Sequence, residues 1–397
     1  MRPGPERAAM SDGGIDVVGI GAVTGYGWGV GALWDGLVGG CSSARPHHGL
    51  GDAFPDPCWY ARVPDRPEAS GGSTRYARAI AEVAEEALVD ARAHGWEPGE
   101  RVAVLHATTG ADRELLRNRY LGETNRRRFV EQVWTTPPGQ VMIKNKFLGP
   151  SAVLSAACSS GLHAVALAHR LLRCGDATDV IVTSADIGYD GEEIRLFADL
   201  GALVHDSPPE DVCRPFQEGT RGFVIGEAAA AVVLTGAPHP AGYLRVLSTA
   251  LGNDAFHPTS IEPSGEHLVR TVDQALSAAG VDKSAIGLYV AHATGTVGCN
   301  TADERVLAHL GAKAVAYGLK PLLGHTMGTA PLLELVALAR AVVEGVVPAP
   351  RAVTDQRHPQ LAEGHFLHPG GPAVQLGLGF GGNVAAAVLQ PQTGSSR

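Results

Sequence analysis

"SAACSSGLHAVALAH", residues 155–169, sets a cysteine among small residues at the head of an apolar, alanine-rich run. The run reads as a buried helix, and Gly161 with the flanking serines permits a tight strand-to-helix turn in front of it. A thiol at a helix N-terminus meets the positive end of the dipole and unpaired backbone N–H groups, which favour thiolate. Its own N–H also lies within reach of a developing oxyanion. The same letters describe equally well a structural cysteine opening a core helix. The rest of the chain has to decide.

The chain has 397 residues, enough for one large domain or two fused halves. Hydrophobic residues make up 45% and charged residues 18%, a composition that supports a large core and not a chain disordered throughout. A formal net charge of -9 excludes a whole-molecule basic field for nucleic acid. An acidic partner would need a local basic patch. The six cysteines form no CxxC pair and no zinc-finger spacing, which fits reduced thiols in a cytoplasmic protein. The N-terminus lacks the apolar core of a signal peptide, and no run approaches a membrane span. Residues 1–14 read as a disordered leader, with Met10 a candidate start, and 392–397 as a flexible tail.

Outward from the cysteine, buried strands alternate with amphipathic helices. "DVVGIGAVTGYG" (16–27) is a strand ending in a glycine turn, and "ALWDGLVGG" has helical spacing. A long amphipathic helix follows in "STRYARAIAEVAEEALVDARAHG", then the strand "RVAVLHATTG". Residues 111–150 are more polar and basic. After the cysteine helix comes "DVIVTSADI", a strand, and "FVIGEAAAAVVLTG" reads as a strand pair. The order then recurs: the strand "YLRVLSTALGN", the helix "SGEHLVRTVDQALSAAGV", the strand "IGLYVAHATG", the helix "PLLELVALARAVVEG" and two closing strands in "AVQLGLGFGGNVAAAVLQ". Such alternation predicts α/β layers, and the recurrence predicts a duplication joined near residues 235–243.

Three further features accompany the cysteine. His292 follows a strand in "AHATGT", where Gly295 suggests a loop whose backbone approaches something closely. Lys320 precedes His325 in "LKPLLGHTMG", and a buried lysine there would hold the histidine neutral. Phe380 stands inside the glycines of "LGFGGN", with Asn383 next, as a gate or as a packed aromatic in a hairpin. Taken singly, each has an ordinary structural reading. "GIGAVTG" is not a dinucleotide fingerprint, because Thr24 stands where the third glycine belongs. Ser159 and Ser160 have no nucleophile-elbow context.

Together, in this order, "AACSSG", "CRPFQEGTRGFVIGEAAAAVVL", "HATGT", "KPLLGHTMG" and "GFGGN" resemble the β-ketoacyl synthases of the thiolase superfamily, nearly end to end. The resemblance implies a five-layered αβαβα fold of two related halves, 15–238 with the nucleophilic cysteine and 239–391 with two catalytic histidines. It implies Cys158 as nucleophile, His292 and His325 as its partners, and Lys320 as the group that orients His325. It also implies an oxyanion hole at the Cys158 and Phe380 amides, Phe380 as a gate, and supporting roles for Asp303, Glu334 and Asn383. The expected reaction is a decarboxylative condensation of a Cys-bound acyl group with a malonyl-type carrier-protein thioester, in polyketide or specialised fatty-acid biosynthesis. No cofactor is expected, since phosphopantetheine arrives on the acyl carrier protein. The other expected partner is a second ketosynthase-type subunit, identical or of the chain-length-factor kind. Retention of Cys158 favours the condensing subunit.

The chain departs from the family's pattern in places. Ala293 replaces a glycine, Cys299, Asn300 and Asp303 replace an Asn-Asp-Glu set with Glu304 adjacent, Pro331 enters the helix after His325, and Arg221 replaces an aspartate. These leave two alternatives open: acyl transfer without decarboxylation, and a non-catalytic partner subunit. For an acidic carrier, Arg113, Arg117, Arg119, Arg126, Arg127 and Arg128 supply the candidate basic patch.

Overall fold

The computed structural model describes residues 13–50, 57–66, 74–122, 130–131 and 133–392. In the first half these carry strands β1 (Ile15–Thr24), β2 (Val102–Ala107), β3 (Ser151–Leu154), β4 (Asp179–Asp186) and β5 (Ala228–Thr235). Among them run helices α1 (Arg75–Ala93), α2 (Arg113–Tyr120), α3 (Thr136–Asn145) and α4 (Ser160–Cys174). The second half carries β6 (Leu244–Asn253), β7 (Leu288–Val290), β8 (Val315–Tyr317), β9 (Ala373–Gly379) and β10 (Asn383–Pro391). Its helices are α5 (Glu266–Ala279), α6 (Val297–Leu310) and α7 (Ala330–Glu344). "FVIGEAAAAVVLTG" yields one long strand, β5, preceded by isolated bridges, not the expected pair. Strand β3 and helices α3 and α6 had no clear periodic signal.

The strand order repeats. The first half reads β3-β2-β4-β5-β1 and the second β8-β7-β9-β10-β6. In both, the first three strands are parallel and the last two antiparallel. The halves join where β1 and β6 pair antiparallel through Ile15, Asp16 and Val17.

Side chains alternate across each sheet, as the two-residue period demands. On β5, Ala228, Ala230, Val232 and Leu234 join the central core, while Ala229, Ala231 and Val233 face outward with α1 and α3. On β10, Ala385, Ala387 and Leu389 face the centre, and Val384, Ala386 and Val388 face α5 and α6. The centre between the sheets is filled by α4 and α7. Five layers result: α1/α3, sheet, α4/α7, sheet, α5/α6. Gly19 and Gly21 earn their place by contact, since a Cβ on them would lie 2.2 Å from Ala87 O and 2.3 Å from Val83 O of α1. Among the described residues no helix is long and apolar enough to cross a membrane.

Candidate active site

Cys158 stands on the turn between β3 and α4. The serines beside it tie that turn. Ser160 Oγ accepts from Ala156 N at 2.9 Å and donates to Ala157 O at 2.6 Å, and Ser159 Oγ donates to Ala156 O at 2.9 Å. Ala157 sits at φ +50 in the left-handed region, a conformation costing a non-glycine residue about 1–2 kcal/mol. Ser159 is the N-cap of α4, so the sulfur lies just ahead of the helix. Burial pushes its thiol from 9.0 up to about 12, Asp186 adds to this and Lys320 opposes it. That rise is roughly 4 kcal/mol against charging, whereas a helix end contributes about 0.3–1 kcal/mol. Burial thus opposes the thiolate character that the helix head favours.

His292 follows β7 and is buried. Asp303 on α6 anchors its backbone: Oδ1 accepts from His292 N at 3.2 Å and Oδ2 from Ala293 N at 2.8 Å. Tyr289 OH donates to the same carboxylate at 2.6 Å. Ala293, where the family has glycine, stands at φ +49. His325 lies in the turn leading to α7, with His325 N donating to Val224 O at 2.7 Å and His325 O accepting from Gly226 N at 3.0 Å. The two imidazole centroids are 5.7 Å apart, and Phe223 packs edge-on to His325 at 4.8 Å. Burial, then the charge of Lys320, hold both rings well below the ordinary histidine value, so both are neutral at pH 7. Each buries an Nδ1 with no hydrogen-bond partner among the described residues. An unpaired buried N–H costs more than an unpaired lone pair, which favours the tautomer with the ring proton on Nε2.

Lys320 is buried and donates through Nζ to Glu334 Oε1 at 2.9 Å, with 2% and 3% of the two side chains exposed. Burial works to lower the lysine, but the Glu334 carboxylate outweighs it and keeps the amine charged. Glu304 does not take part. It accepts from Asn300 Nδ2 at 2.8 Å, while Asn300 Oδ1 accepts from Phe216 N. Pro331 is accommodated in the first turn of α7.

Strand β9 brings Phe380 up to the cysteine. A Cβ on Gly379 would lie 2.3 Å from Ala156 O and 3.2 Å from Cys158 N, so only glycine lets the strand pass against that turn. Asn383 Nδ2 donates to Phe380 O at 2.8 Å and closes the loop. Cys158, His292, His325, Phe223, Met327 and Phe380 all line one cavity of about 300 Å³. Phe223, Met327 and the buried Asp186 had not been singled out. The one signal for Asp186 was a carboxylate closing a fully buried strand.

The basic patch is corrected in part. Arg113 has only 11% of its side chain exposed, with Nε donating to Glu193 Oε1 at 2.9 Å and its guanidinium 4.1 Å from the Tyr189 ring centroid. Arg117 pairs with Asp190 at 3.2 Å. Neither is a free docking charge. Arg119 is exposed, and Arg126, Arg127 and Arg128 lie outside the described residues. His163 bonds Ser159, and His169 bonds Gly13 O and Thr249, both as structural groups. No group of acidic, cysteine and histidine side chains with metal-binding geometry occurs among the described residues.

A duplicated α/β sandwich with a thiol and two neutral imidazoles around one central cavity defines a thiolase-like fold. The chain belongs to the β-ketoacyl synthase family: the profile for "Beta-ketoacyl synthase, N-terminal domain" matches residues 71–239 and that for "Beta-ketoacyl synthase, C-terminal domain" residues 243–354. It is 31% identical over 274 residues to 3-oxoacyl-[acyl-carrier-protein] synthase 2 of Rhizobium meliloti, covering 64% of each chain. It is 29% identical to the tetracenomycin polyketide synthase ketoacyl synthase alpha subunit of Streptomyces glaucescens, covering 94% of this chain and 96% of that one. Among solved structures, a ketosynthase in complex with its chain length factor from Xenorhabdus doucetiae superposes with a TM-score of 0.82 at 23% identity, over 98% of this chain and 100% of that one. A type II polyketide synthase acyl-carrier protein complex with its ketosynthase gives 0.82 at 22% identity, over 95% and 99%.

Proposed function

We propose that the protein is a condensing ketosynthase, working in the cytoplasm without a bound cofactor. It joins an acyl group held on Cys158 to a malonyl-type thioester and forms a 3-oxoacyl chain for polyketide or specialised fatty-acid synthesis. The observation that carries this reading is the cavity where the Cys158 thiol meets two imidazoles kept neutral by burial and Lys320.

In the first step Cys158 Sγ attacks an acyl thioester delivered by an acyl carrier protein. The Cys158 and Phe380 amides receive the oxyanion, and the departing phosphopantetheine thiol takes up the proton that Cys158 loses. In the second step the malonyl-type thioester enters, and its carbonyl oxygen accepts from the Nε2–H groups of His292 and His325. Carbon dioxide leaves and the resulting enolate is held by those two donors, each contributing about 3–4 kcal/mol. The carbanion attacks the acyl thioester carbonyl, the C–S bond breaks, and Cys158 regains a proton from solvent. Lys320 acts through its charge, which keeps imidazolium from forming, and Asp303, Glu334 and Asn383 hold the loops.

Two partners follow: the carrier protein, and a second ketosynthase-type subunit. The surface beside the open edge of β3 favours the latter, because Ile143 and Leu148 are apolar and exposed there. The experiment is incubation with acyl- and malonyl-carrier protein, followed by intact mass. The expected results are an acyl adduct and a 3-oxoacyl product, both lost in Cys158→Ala. An adduct without condensation would make the protein a plain acyltransferase, and no adduct would make it a partner subunit.

A further inference from the structure

We infer that Asp186, paired with Arg113, is a positioning residue that clamps the Cys158 turn to the turn carrying His325. This rests on Cys158 being the nucleophile. Asp186 closes β4 and is fully buried. Its Oδ1 accepts from Thr109 N at 3.0 Å and Thr109 Oγ1 at 2.5 Å. Its Oδ2 accepts from Thr329 N at 3.2 Å and Thr329 Oγ1 at 3.3 Å, at the end of the short turn Met327–Thr329 that follows His325. Gly328, inside that turn, is wedged between the two sides. A Cβ on it would lie 3.0 Å from Ala157 O and 3.1 Å from Asp186 Oδ2. One carboxylate therefore fixes the second-histidine turn while that turn touches the residue preceding Cys158.

The counter-ion is held back. Arg113 Nη1 stands 3.6 Å from Asp186 Oδ1 and is buried with no hydrogen-bond acceptor among the described residues. Arg113 Nη2 donates to Thr109 Oγ1 at 3.1 Å, so the Thr109 hydroxyl bridges the pair, accepting from Arg113 and donating to Asp186. Burying two ions is costly, and a buried pair is weak support for stability; a pair placed under the nucleophile has a use in fixing geometry. Its charge also reaches the sulfur. The charged and titratable groups around Cys158 are Asp186 on β4, Lys320, and the neutral His292 and His325. Those around Asp186 are Arg113, Tyr189 and, through Arg113, Glu193. Asp186 opposes ionisation of the thiol and Arg113 screens it.

The test is the pH dependence of Cys158 alkylation by iodoacetamide, followed on the Cys158 peptide by mass mapping because Cys41 and Cys174 are also exposed, beside turnover and melting temperature. Asp186→Asn removes the carboxylate whose charge opposes ionisation of the thiol, so alkylation should begin about one pH unit lower or more. Arg113→Met should move it higher. Asp186→Glu keeps the charge and shifts the carboxylate, so the alkylation profile should stay and condensation should fall about 10-fold to 100-fold. A general loosening would move all three profiles toward the free-thiol value, and that result overturns the inference. Superimposed wild-type and Asp186→Asn profiles overturn it too. If Asp186→Asn does not fold, the raised profile of Arg113→Met set against the unmoved profile of Asp186→Glu still decides. Failure of wild-type Cys158 to accept an acyl group would remove the catalytic reading instead, and the alkylation profiles would still report on Asp186.

Discussion

The two halves have one strand order and one arrangement of helices, yet they bring different chemistry to the cavity. In the first, the turn before α4 carries a thiol. In the second, the turn before α7 carries an imidazole, and the loop after β7 carries another. Each half sets its group beside an alanine near φ +50, Ala157 before Cys158 and Ala293 after His292. Each also buries an ion pair under its turn, Arg113–Asp186 in one and Lys320–Glu334 in the other. The difference lies in how tightly the pairs close. Lys320 bonds Glu334 directly at 2.9 Å, while Arg113 stays 3.6 Å from Asp186. The duplicated frame thus supplies corresponding turns before α4 and α7, and burial first, with nearby charge second, raises the thiol in one half and depresses the imidazoles in the other.

The sharpest way to break the comparison is to remove one side at a time. Cys158→Ala should abolish the acyl adduct and condensation together. His292→Ala and His325→Ala should each leave the adduct and lower condensation about 10²- to 10³-fold. Intact mass separates the two outcomes; loss of the adduct in a histidine variant would mean that the second half also serves the first step. Next in size comes the tighter ion pair. Lys320→Met leaves Glu334 as an unpaired buried carboxylate, at a cost of about 3–5 kcal/mol. Urea unfolding should show that loss, and Lys320→Met with Glu334→Leu should recover most of it.

The long periodic elements were legible in the sequence because an amphipathic face or a buried strand is a local property. The recurrence of strand, helix and strand was legible for the same reason. What escaped was set by distant partners. Strand β3 is short and half-exposed at an edge, so it lacks the apolar run of β4. Arg113 reads as a surface charge in a basic stretch, and only the fold brings Asp186 and Glu193 around it. Cys158 was legible through motifs that lie far apart in the chain. Its protonation state was not, since burial and Asp186 come from the surrounding fold.

A smaller effect concerns pH. His292 and His325 are depressed below their unfolded value of about 6.5, so below that pH the unfolded chain binds more protons than the folded one. Their contribution is fully present above pH ~6.5 and is lost as the pH falls toward the folded values. Each should add a slope of about 1.4 kcal/mol per pH unit in that range. His325→Asn should flatten the slope of unfolding free energy against pH, with no such effect from Cys158→Ala. An unchanged slope in His325→Asn would mean that the ring accepts a proton in the folded protein.

The smallest expected effect probes the shared alanines. Ala293→Gly removes a left-handed strain of about 1–2 kcal/mol and returns about 0.4–1 kcal/mol to the unfolded chain as entropy. The net is a stabilisation of roughly 1 kcal/mol or less, seen as a small rise in melting temperature. Ala157→Gly should behave alike in stability, since its φ is nearly the same. The halves should part company in activity. The His292–Ala293 backbone is held by two bonds to Asp303, so its geometry does not depend on the methyl group. The Ala157 turn is held by short serine bonds and by Gly328 packed against its carbonyl, and a glycine there widens the range the Cys158 backbone samples. Ala157→Gly should therefore lower acylation several-fold while Ala293→Gly leaves it unchanged. Equal acylation rates in the two variants would show that the strained alanine is incidental to the nucleophile.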